Sequence, residues 1–361
     1  MTSSMLKATI KKASQGFRLD PDQALHLYEK ADLLTLGRLA HTARFRHNPH
    51  PVATYAVDRN INYTNICESG CAFCAFYREK EDTEAYVMDR DTLNGKCDET
   101  LELGGTQILY QGGLNPDLDL RWHEQQVAFM KSKGLHVHGY SPPEIVFMAR
   151  EEGLSIHDVI QRLKKAGLGS IPGGGAEILV DRVRQKISPN KASTSQWIEV
   201  MQSAHDLGLK TTATMMFGHV ETLKERILHL SAIRELQDKT GGFTAFIPWP
   251  YQPGKNTLSG KAAGGTTYLR TLAISRIFLD NVPHVQSSWV TQGHHIGQIA
   301  LHFGADDMGS TMIEENVVAS AGVRNAMNQA EIIRLIETAG FKAVQRNTLY
   351  KPVENAAKAA P

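Results

Sequence analysis

From about residue 50 onward the chain alternates between two hydrophobic rhythms. Short apolar runs such as Thr106-Gln107-Ile108-Leu109-Tyr110 and residues 210–217 have strand length and composition, whereas 90–103 and 223–237 repeat their apolar positions at helical spacing. Extended stretches are expected at 61–64, 106–110, 135–140, 168–171, 210–217, 243–247, 285–290 and 304–307. The intervening helices are expected at 90–103, 120–133, 157–166, 195–207, 223–237, 268–279 and 296–302. Eight alternating units predict an α/β fold, a (β/α)8 TIM-type barrel with right-handed crossovers.

The barrel has flanks of a different character. Residues 18–47 predict a helical cap, because Asp20-Pro21-Asp22 offers an N-cap with proline at the first helical position, and Leu25, Leu27, Tyr28, Leu33, Leu36 and Leu39 carry the apolar spacing. Residues 52–57 read as a further extended segment. The stretch 329–350 predicts one helix and an edge strand, and the Ala/Lys-rich last eight residues a frayed tail. No Pro/Gly/Ser-rich linker divides the chain, so the expected organisation is an N-terminal cap (1–50), a barrel (51–328) and a short C-terminal extension (329–361).

Composition narrows the function classes. With 361 residues, 42% of them apolar and 21% charged, the chain can bury a large core and is far from disorder. Lys plus Arg (39) and Asp plus Glu (38) nearly cancel, which gives no electrostatic case for a nucleic-acid or membrane partner. Neither an apolar leader nor an uninterrupted apolar run of membrane-spanning length is seen, so a cytoplasmic location is expected, and a reducing compartment suits free thiols.

Three of the four cysteines fall in Cys67-Glu68-Ser69-Gly70-Cys71-Ala72-Phe73-Cys74, a CxxxCxxC spacing. Three thiolates on one short loop can hold three corners of a cubane iron–sulfur cluster and leave the fourth iron open. A zinc site would need a further close Cys or His, and Cys97 lies well downstream within a predicted helix. Zinc and buried structural thiols remain alternatives on spacing alone. A disulfide framework is the weakest option for a chain of this size.

In such barrels the active site forms on the loops after the strands. Those loops carry Gln111-Gly112-Gly113-Leu114, Ser141-Pro142-Pro143-Glu144, Pro172-Gly173-Gly174-Gly175-Ala176-Glu177, Gly218-His219-Val220-Glu221 and Met308-Gly309-Ser310. The glycines allow close backbone approach to a ligand, but Gly173-Gly174-Gly175 matches neither phosphate-binding pattern. Glu177 can bond ribose hydroxyls or simply be a solvated carboxylate. His136 and His138 share a strand face without a matching carboxylate, and are read as barrel histidines rather than a second metal site.

The CxxxCxxC loop with Phe73 directly before its third cysteine, together with Gly112-Gly113 after the second strand, resembles the radical S-adenosylmethionine superfamily. The third residue of the usual GGE motif is Leu114 here, which leaves the cosubstrate's amine to the Gly112-Gly113 backbone. Further blocks, among them Asp58-Arg59-Asn60-Ile61-Asn62-Tyr63-Thr64-Asn65, residues 172–179, residues 211–221, Ile247-Pro248-Trp249-Pro250-Tyr251-Gln252-Pro253, Ser288-Trp289-Val290-Thr291-Gln292-Gly293 and residues 303–310, resemble the dehypoxanthine futalosine cyclases of menaquinone biosynthesis. Aminofutalosine synthases and the radical half of deazaflavin-cofactor synthesis share much of this patterning, and an iron–sulfur electron carrier is the alternative of a different class.

The resemblance implies a 4Fe-4S cluster on Cys67, Cys71 and Cys74, and S-adenosyl-L-methionine held by Phe73, Gln111, Gly112, Gly113, Ser141 and Glu177. It implies a flavodoxin- or ferredoxin-like electron donor, and a 5'-deoxyadenosyl radical that takes hydrogen from ribose C4' of dehypoxanthine futalosine before ring closure onto its aryl group. Loss of the last proton needs a general base, for which His219, Glu221, Asp306 and Asp307 stand on suitable loops. Arg59 and Gln292 are candidates for the substrate's aryl carboxylate.

Overall fold

The computed structural model describes residues 3–258 and 260–353. Its strands are β1 (Val52–Ala56), β2 (Asp58–Asn62), β3 (Gln107–Gln111), β4 (His136–Gly139), β5 (Leu168–Ile171), β6 (Lys210–Phe217), β7 (Phe243–Pro250), β8 (His284–Val285), β9 (Asp307–Ser310) and β10 (Lys342–Gln345). Strands β2 to β8 pair in sequence order as one parallel sheet, each separated from the next by helix, as the alternating pattern requires.

The expected eighth strand behaves differently. β9 joins β1 and β10 in a second, three-stranded sheet, and meets the larger sheet through a bridge between Asp307 and Gln286, just after β8, and through Ser310 Oγ donating to Asp58. Residues 306–313 nevertheless span both edges of the seven-stranded sheet. On one side Asp306 N–H donates to Val285 O at 3.0 Å, and on the other Ile313 N–H donates to Asp58 O at 3.0 Å. The sheet is therefore curled, an open half-barrel whose gap is spanned by β9 and the residues flanking it, which belong to the smaller sheet rather than to an eighth ladder of the larger one.

Adjacent aspartates anchor that closure. Asp306 accepts from Val285 N–H (2.8 Å), from Asn48 Nδ2 (2.7 Å) at the end of the helix Leu33–His47, and from Arg276 (3.1 Å), with His284 Nδ1 at 2.5 Å. Asp307 accepts from Thr54 on β1 and from both Nε and Nη2 of Arg346 just after β10. Burial pushes the Asp306 carboxyl upward, but the His284 hydrogen bond and the Arg276 charge outweigh it and hold the pKa below the usual carboxylate value.

Local chemistry accounts for the other departures. The expected helix over 18–47 is two helices, Pro21–Lys30 and Leu33–His47, because Asp32 caps the second by accepting from Thr35 N–H at 2.9 Å. Its Asp20 cap and Pro21 are where the sequence places them. Of the expected extended stretch 285–290 only Val285 lies in a strand, β8. Ser288 Oγ and Thr291 Oγ1 then bond at 2.8 Å and start the short helix Trp289–Gln292, which buries the Trp289 indole against Ser310 O. The helix Gln329–Thr338 and β10 match the expected extension, whereas the tail from residue 354 lies outside the described residues.

The N-terminal helices share the barrel's core. One hydrophobic cluster runs from Ala13 to Phe341, and within it the helix Leu33–His47, which contributes Leu36 and Ala40, packs against the helix Gly265–Phe278, which contributes Tyr268 and Leu272. Gly37 lets the helix Leu33–His47 also approach Phe303, since a Cβ there would sit 2.7 Å from that ring.

Replacing Arg276 with Met should strand the buried Asp306 charge and destabilise the protein by about 3 kcal/mol. The check is the midpoint of urea unfolding; an unchanged midpoint would show that the closure does not depend on this pair.

Candidate active site

Alternation along the strands decides which side chains enter the lumen. On β2, Asp58, Asn60 and Asn62 face inward, and on β3, Gln107, Leu109 and Gln111 do so beside them. The lumen is a cavity of about 430 Å³, which runs from the cysteine loop at the strands' C-terminal ends down to Arg346, Thr348 and Tyr350 of the C-terminal segment. All nine residues expected to hold a cluster or cosubstrate line it: Cys67, Cys71, Cys74, Phe73, Gln111, Gly112, Gly113, Ser141 and Glu177.

The cysteine loop is fixed by its backbone. Cys67 N–H donates to Arg78 O (3.1 Å), Ala72 N–H to Ile187 O (2.8 Å) and Cys74 N–H to Cys71 O (3.0 Å), while Ala72 O accepts from Leu258 N–H at 2.8 Å. Gly113 presses against the loop so closely that a Cβ would lie 2.1 Å from Ile66 O, and at Gly112 one would meet the Tyr63 ring at 2.6 Å. Their N–H groups donate to Thr64 O and Glu144 Oε1, and a ligand's ammonium group, a donor only, could bond just their carbonyl oxygens.

Glu144 is a site residue that strand-and-loop reading did not single out, and it lines the cavity. It is buried, and it accepts from Tyr63 Oη (2.8 Å), Gly112 N–H (3.0 Å), Ser141 N–H (2.7 Å) and Ser141 Oγ (2.5 Å), locking three strand-end loops together. Burial raises its pKa despite those four donors. The readable signal was the Ser141-x-x-Glu144 capping box, which opens the helix Pro142–Glu152.

Lys191 was also missed, having no motif around it. Its Nζ sits 2.6 Å from Glu177 Oε1 and 5.4 Å from the Phe73 ring centroid, and it lines the cavity next to the cysteines. Burial works against its charge, but Glu177 and the Cys71 sulfur outweigh that and hold the ammonium above its usual pKa. Glu177 itself adopts a left-handed φ of +41°, an uncommon conformation for a residue with a side chain. Buried Arg184 braces that turn by donating to Ala176 O and Gly175 O.

The donor set fits a three-thiolate cluster. Burial raises the Cys67 and Cys74 thiols, so a cationic partner must hold them as thiolates. Among the described residues no three His, Cys, Asp or Glu side chains group tightly enough to hold one metal ion, whereas the corners of a cubane are more widely spread. Cys97 is buried in the helix Arg90–Glu102 away from the cavity, its thiol pushed up to about 11 by burial.

The structure does not bring the four base candidates to the lumen wall. His219 bonds Met216 O at 3.0 Å, and Glu221 accepts from Gly218 N–H, His219 N–H and Arg226; neither lines the cavity. Asp306 and Asp307 are engaged in the closure described above and also lie off the lining. Arg59 faces outward to Glu99 and Glu314, and Gln292 bonds Ala263 O.

Comparison with known proteins agrees with this geometry. Residues 61–233 match the model of the radical SAM superfamily and residues 240–359 that of the CofH/MqnC C-terminal region. The chain is 46% identical over 352 residues to the cyclic dehypoxanthine futalosine synthase of Streptomyces coelicolor, covering 96% of this chain and 88% of that one. It is 42% identical over 304 residues to the 5-amino-6-(D-ribitylamino)uracil--L-tyrosine 4-hydroxyphenyl transferase of Archaeoglobus fulgidus (82% and 88% covered), and 38% identical over 353 residues to the aminodeoxyfutalosine synthase of Thermus thermophilus (95% and 94% covered). In fold it matches the FeFe-hydrogenase maturase HydG from Carboxydothermus hydrogenoformans, with a TM-score of 0.75 at 17% identity over 96% of this chain and 81% of that one.

Cys67→Ala, Cys71→Ala or Cys74→Ala should each abolish bound iron and acid-labile sulfide in anaerobically prepared protein, and Gly113→Ala should lower both by displacing the loop. Cys97→Ala should leave both near wild type; loss of iron in that variant would overturn the ligand assignment. On the matched superfamily, the near-full-length relatives and the cysteine-lined cavity together, the chain is a radical SAM enzyme and belongs to the CofH/MqnC family.

Proposed function

We propose that this enzyme converts dehypoxanthine futalosine to cyclic dehypoxanthine futalosine in the futalosine route to menaquinone. The observation that carries the reading is its near-full-length identity to cyclic dehypoxanthine futalosine synthase, joined to a single lumen that connects the cysteine loop with a polar interior.

Cys67, Cys71 and Cys74 would hold a 4Fe-4S cluster, which with S-adenosylmethionine would supply one-electron reductive cleavage and hence a hydrogen-abstracting carbon radical. The chain's own residues supply position and exclusion. Glu177, fixed by Lys191, offers carboxylate oxygens to ribose hydroxyls, and the Lys191 ammonium offsets negative charge at the cysteine loop. Gln111 and Ser141 border the same space, with Ser141 oriented by Glu144. Trp249 and Ile247 wall the lumen with apolar surface, keeping water from a reactive carbon centre, while Asn60 and Asn62 face the substrate with polar groups. The electron enters from a flavodoxin- or ferredoxin-like donor.

A second reading has a specific basis: the Archaeoglobus transferase is nearly as similar as the cyclase. Incubating the reduced holoenzyme and S-adenosylmethionine with dehypoxanthine futalosine should give a product lighter by two hydrogens, together with 5'-deoxyadenosine, both read by mass spectrometry. If that substrate stays unchanged while a tyrosine-derived adduct forms with the ribitylaminouracil, the transferase reading holds instead. Absence of 5'-deoxyadenosine under every condition would favour an iron–sulfur electron carrier.

Lys191→Met should keep its cluster but bind S-adenosylmethionine about tenfold or more weakly, the cost of losing a charge-assisted contact. The test is equilibrium binding to the oxidised cluster-loaded protein.

A further inference from the structure

We propose that His138 is the base that accepts the proton released in the lumen on ring closure, and that Ser170 and His136 pass it to the foot of the barrel. This deepens the cyclisation reading and rests on it for the identity of the proton donor.

The placement comes from the sheet. His138 lies within β4, and among the described residues it is the one imidazole that lines the cavity. His136, two residues earlier, points to the same face at the strand's N-terminal end, where it is half-buried and off the cavity lining. Between the two rings stands Ser170 on β5, 1% exposed, with His138 Nδ1 and His136 Nε2 each 2.7 Å from its Oγ. His138 Nε2 has no partner among the described residues and is left for whatever occupies the lumen.

One hydroxyl between two imidazoles has a single hydrogen to give. In one arrangement His138 Nδ1–H donates to Ser170 Oγ and the hydroxyl donates to His136 Nε2. His138 Nε2 is then a bare acceptor facing the lumen, and His136 carries its proton on Nδ1. In the other arrangement every proton has moved one place, so that His138 presents Nε2–H and His136 Nδ1 is bare. Proton uptake at His138 with release at His136 converts the first into the second, and no imidazolium has to persist. That suits the surroundings. Burial holds His138 at about 3 and His136 at about 4, and the nearby cations, Arg346 for His138 and Lys131 for His136, also favour neutral rings.

Ring closure removes two hydrogens from the substrate. One leaves as an atom to the adenosyl carbon radical. The other leaves the ring carbon as a proton to His138 Nε2, its bonding pair staying to restore aromaticity, while one electron passes to a one-electron acceptor of the oxidised iron–sulfur class. His138 is the catalytic group in this scheme; Ser170 and His136 act through it as positioning residues.

Nitrogen-resolved NMR of 15N-histidine-labelled oxidised holoenzyme tests the relay without any substrate. The two rings should hold the same tautomer, and Ser170→Ala should uncouple them; opposite tautomers, or an imidazolium at neutral pH, would overturn the relay. With substrate, His138→Gln should still form 5'-deoxyadenosine and still transfer substrate hydrogen into it, but yield about 100-fold less cyclised product per 5'-deoxyadenosine. Added imidazole should restore part of that ratio in His138→Ala. Ser170→Ala should lower the ratio less. A His138→Gln ratio within about twofold of wild type, below the hundredfold range expected of a base, would sink the assignment. Should His138→Gln fail to fold, the tautomer measurement and Ser170→Ala decide. If wild type closes no ring on dehypoxanthine futalosine, the substrate reading fails, and the tautomers still decide whether the relay exists.

Discussion

The lumen depends on how the sheet's open edge is sealed. Two adjacent buried aspartates do this in different directions, Asp306 toward Arg276, His284 and Asn48, and Asp307 toward Thr54 and Arg346. Each carboxylate is desolvated, and each is matched by a buried guanidinium, so the closure is specific to one geometry rather than a generic hydrophobic seal. An eighth ladder would have filled the gap with backbone. β9, paired in the smaller sheet, instead places Ser310 Oγ on Asp58 at the floor of the lumen, and leaves Arg346, Thr348 and Tyr350 to complete that floor.

A sealed lumen sets the electrostatic terms for everything inside it. Burial raises Asp58 and Glu144, raises the Cys67 and Cys74 thiols and lowers His138, all toward neutral forms. Charge survives where it is paired: Lys191 with Glu177 at the top, Arg346 with Asp307 at the bottom. The middle of the cavity is left with neutral hydrogen-bonding groups, Asn60 and His138 among them. Such a zone can orient a polar substrate, and the pairs at either end bound the space in which reactive intermediates are confined.

The features legible in the sequence were those set by local spacing. Cys67, Cys71 and Cys74 had to share a loop, and the strand–loop alternation carried Gln111, Gly112, Gly113, Ser141 and Glu177 to the same cavity. Lys191 could not be read in this way, because its place at the site arises from a segment, including the helix Asp181–Ile187, that returns it to Glu177 fourteen positions away in sequence. The base candidates were chosen for lying after strands, but the barrel's irregular closure turned Asp306 and Asp307 away, and Arg226 and backbone amides engaged Glu221. At 285–290, Val285, Trp289 and Val290 resembled strand residues, but Thr291 Oγ1 donates back to Ser288 O and closes a helical turn instead. Period-two patterns report which face a residue takes; they carry no information on which long-range partner claims it.

His136 and His138 illustrate that limit from the other side. Their alternation correctly predicted a shared face, and the absence of a matching carboxylate argued against a metal. What one strand's pattern could not show was that Ser170, on the neighbouring strand, would stand between them. The register of β4 against β5 pairs Val137 with Leu168 and then His138 with Ser170, a shift of one residue within two positions. That irregularity brings a single hydroxyl within 2.7 Å of both rings. Gly169 takes part in the fit, since a Cβ there would lie 2.4 Å from the His136 ring. A bulge of this kind displaces the regular alternation by one residue, and here it joins two barrel histidines, one on the cavity wall and one off it, into a single hydrogen-bonded line through Ser170.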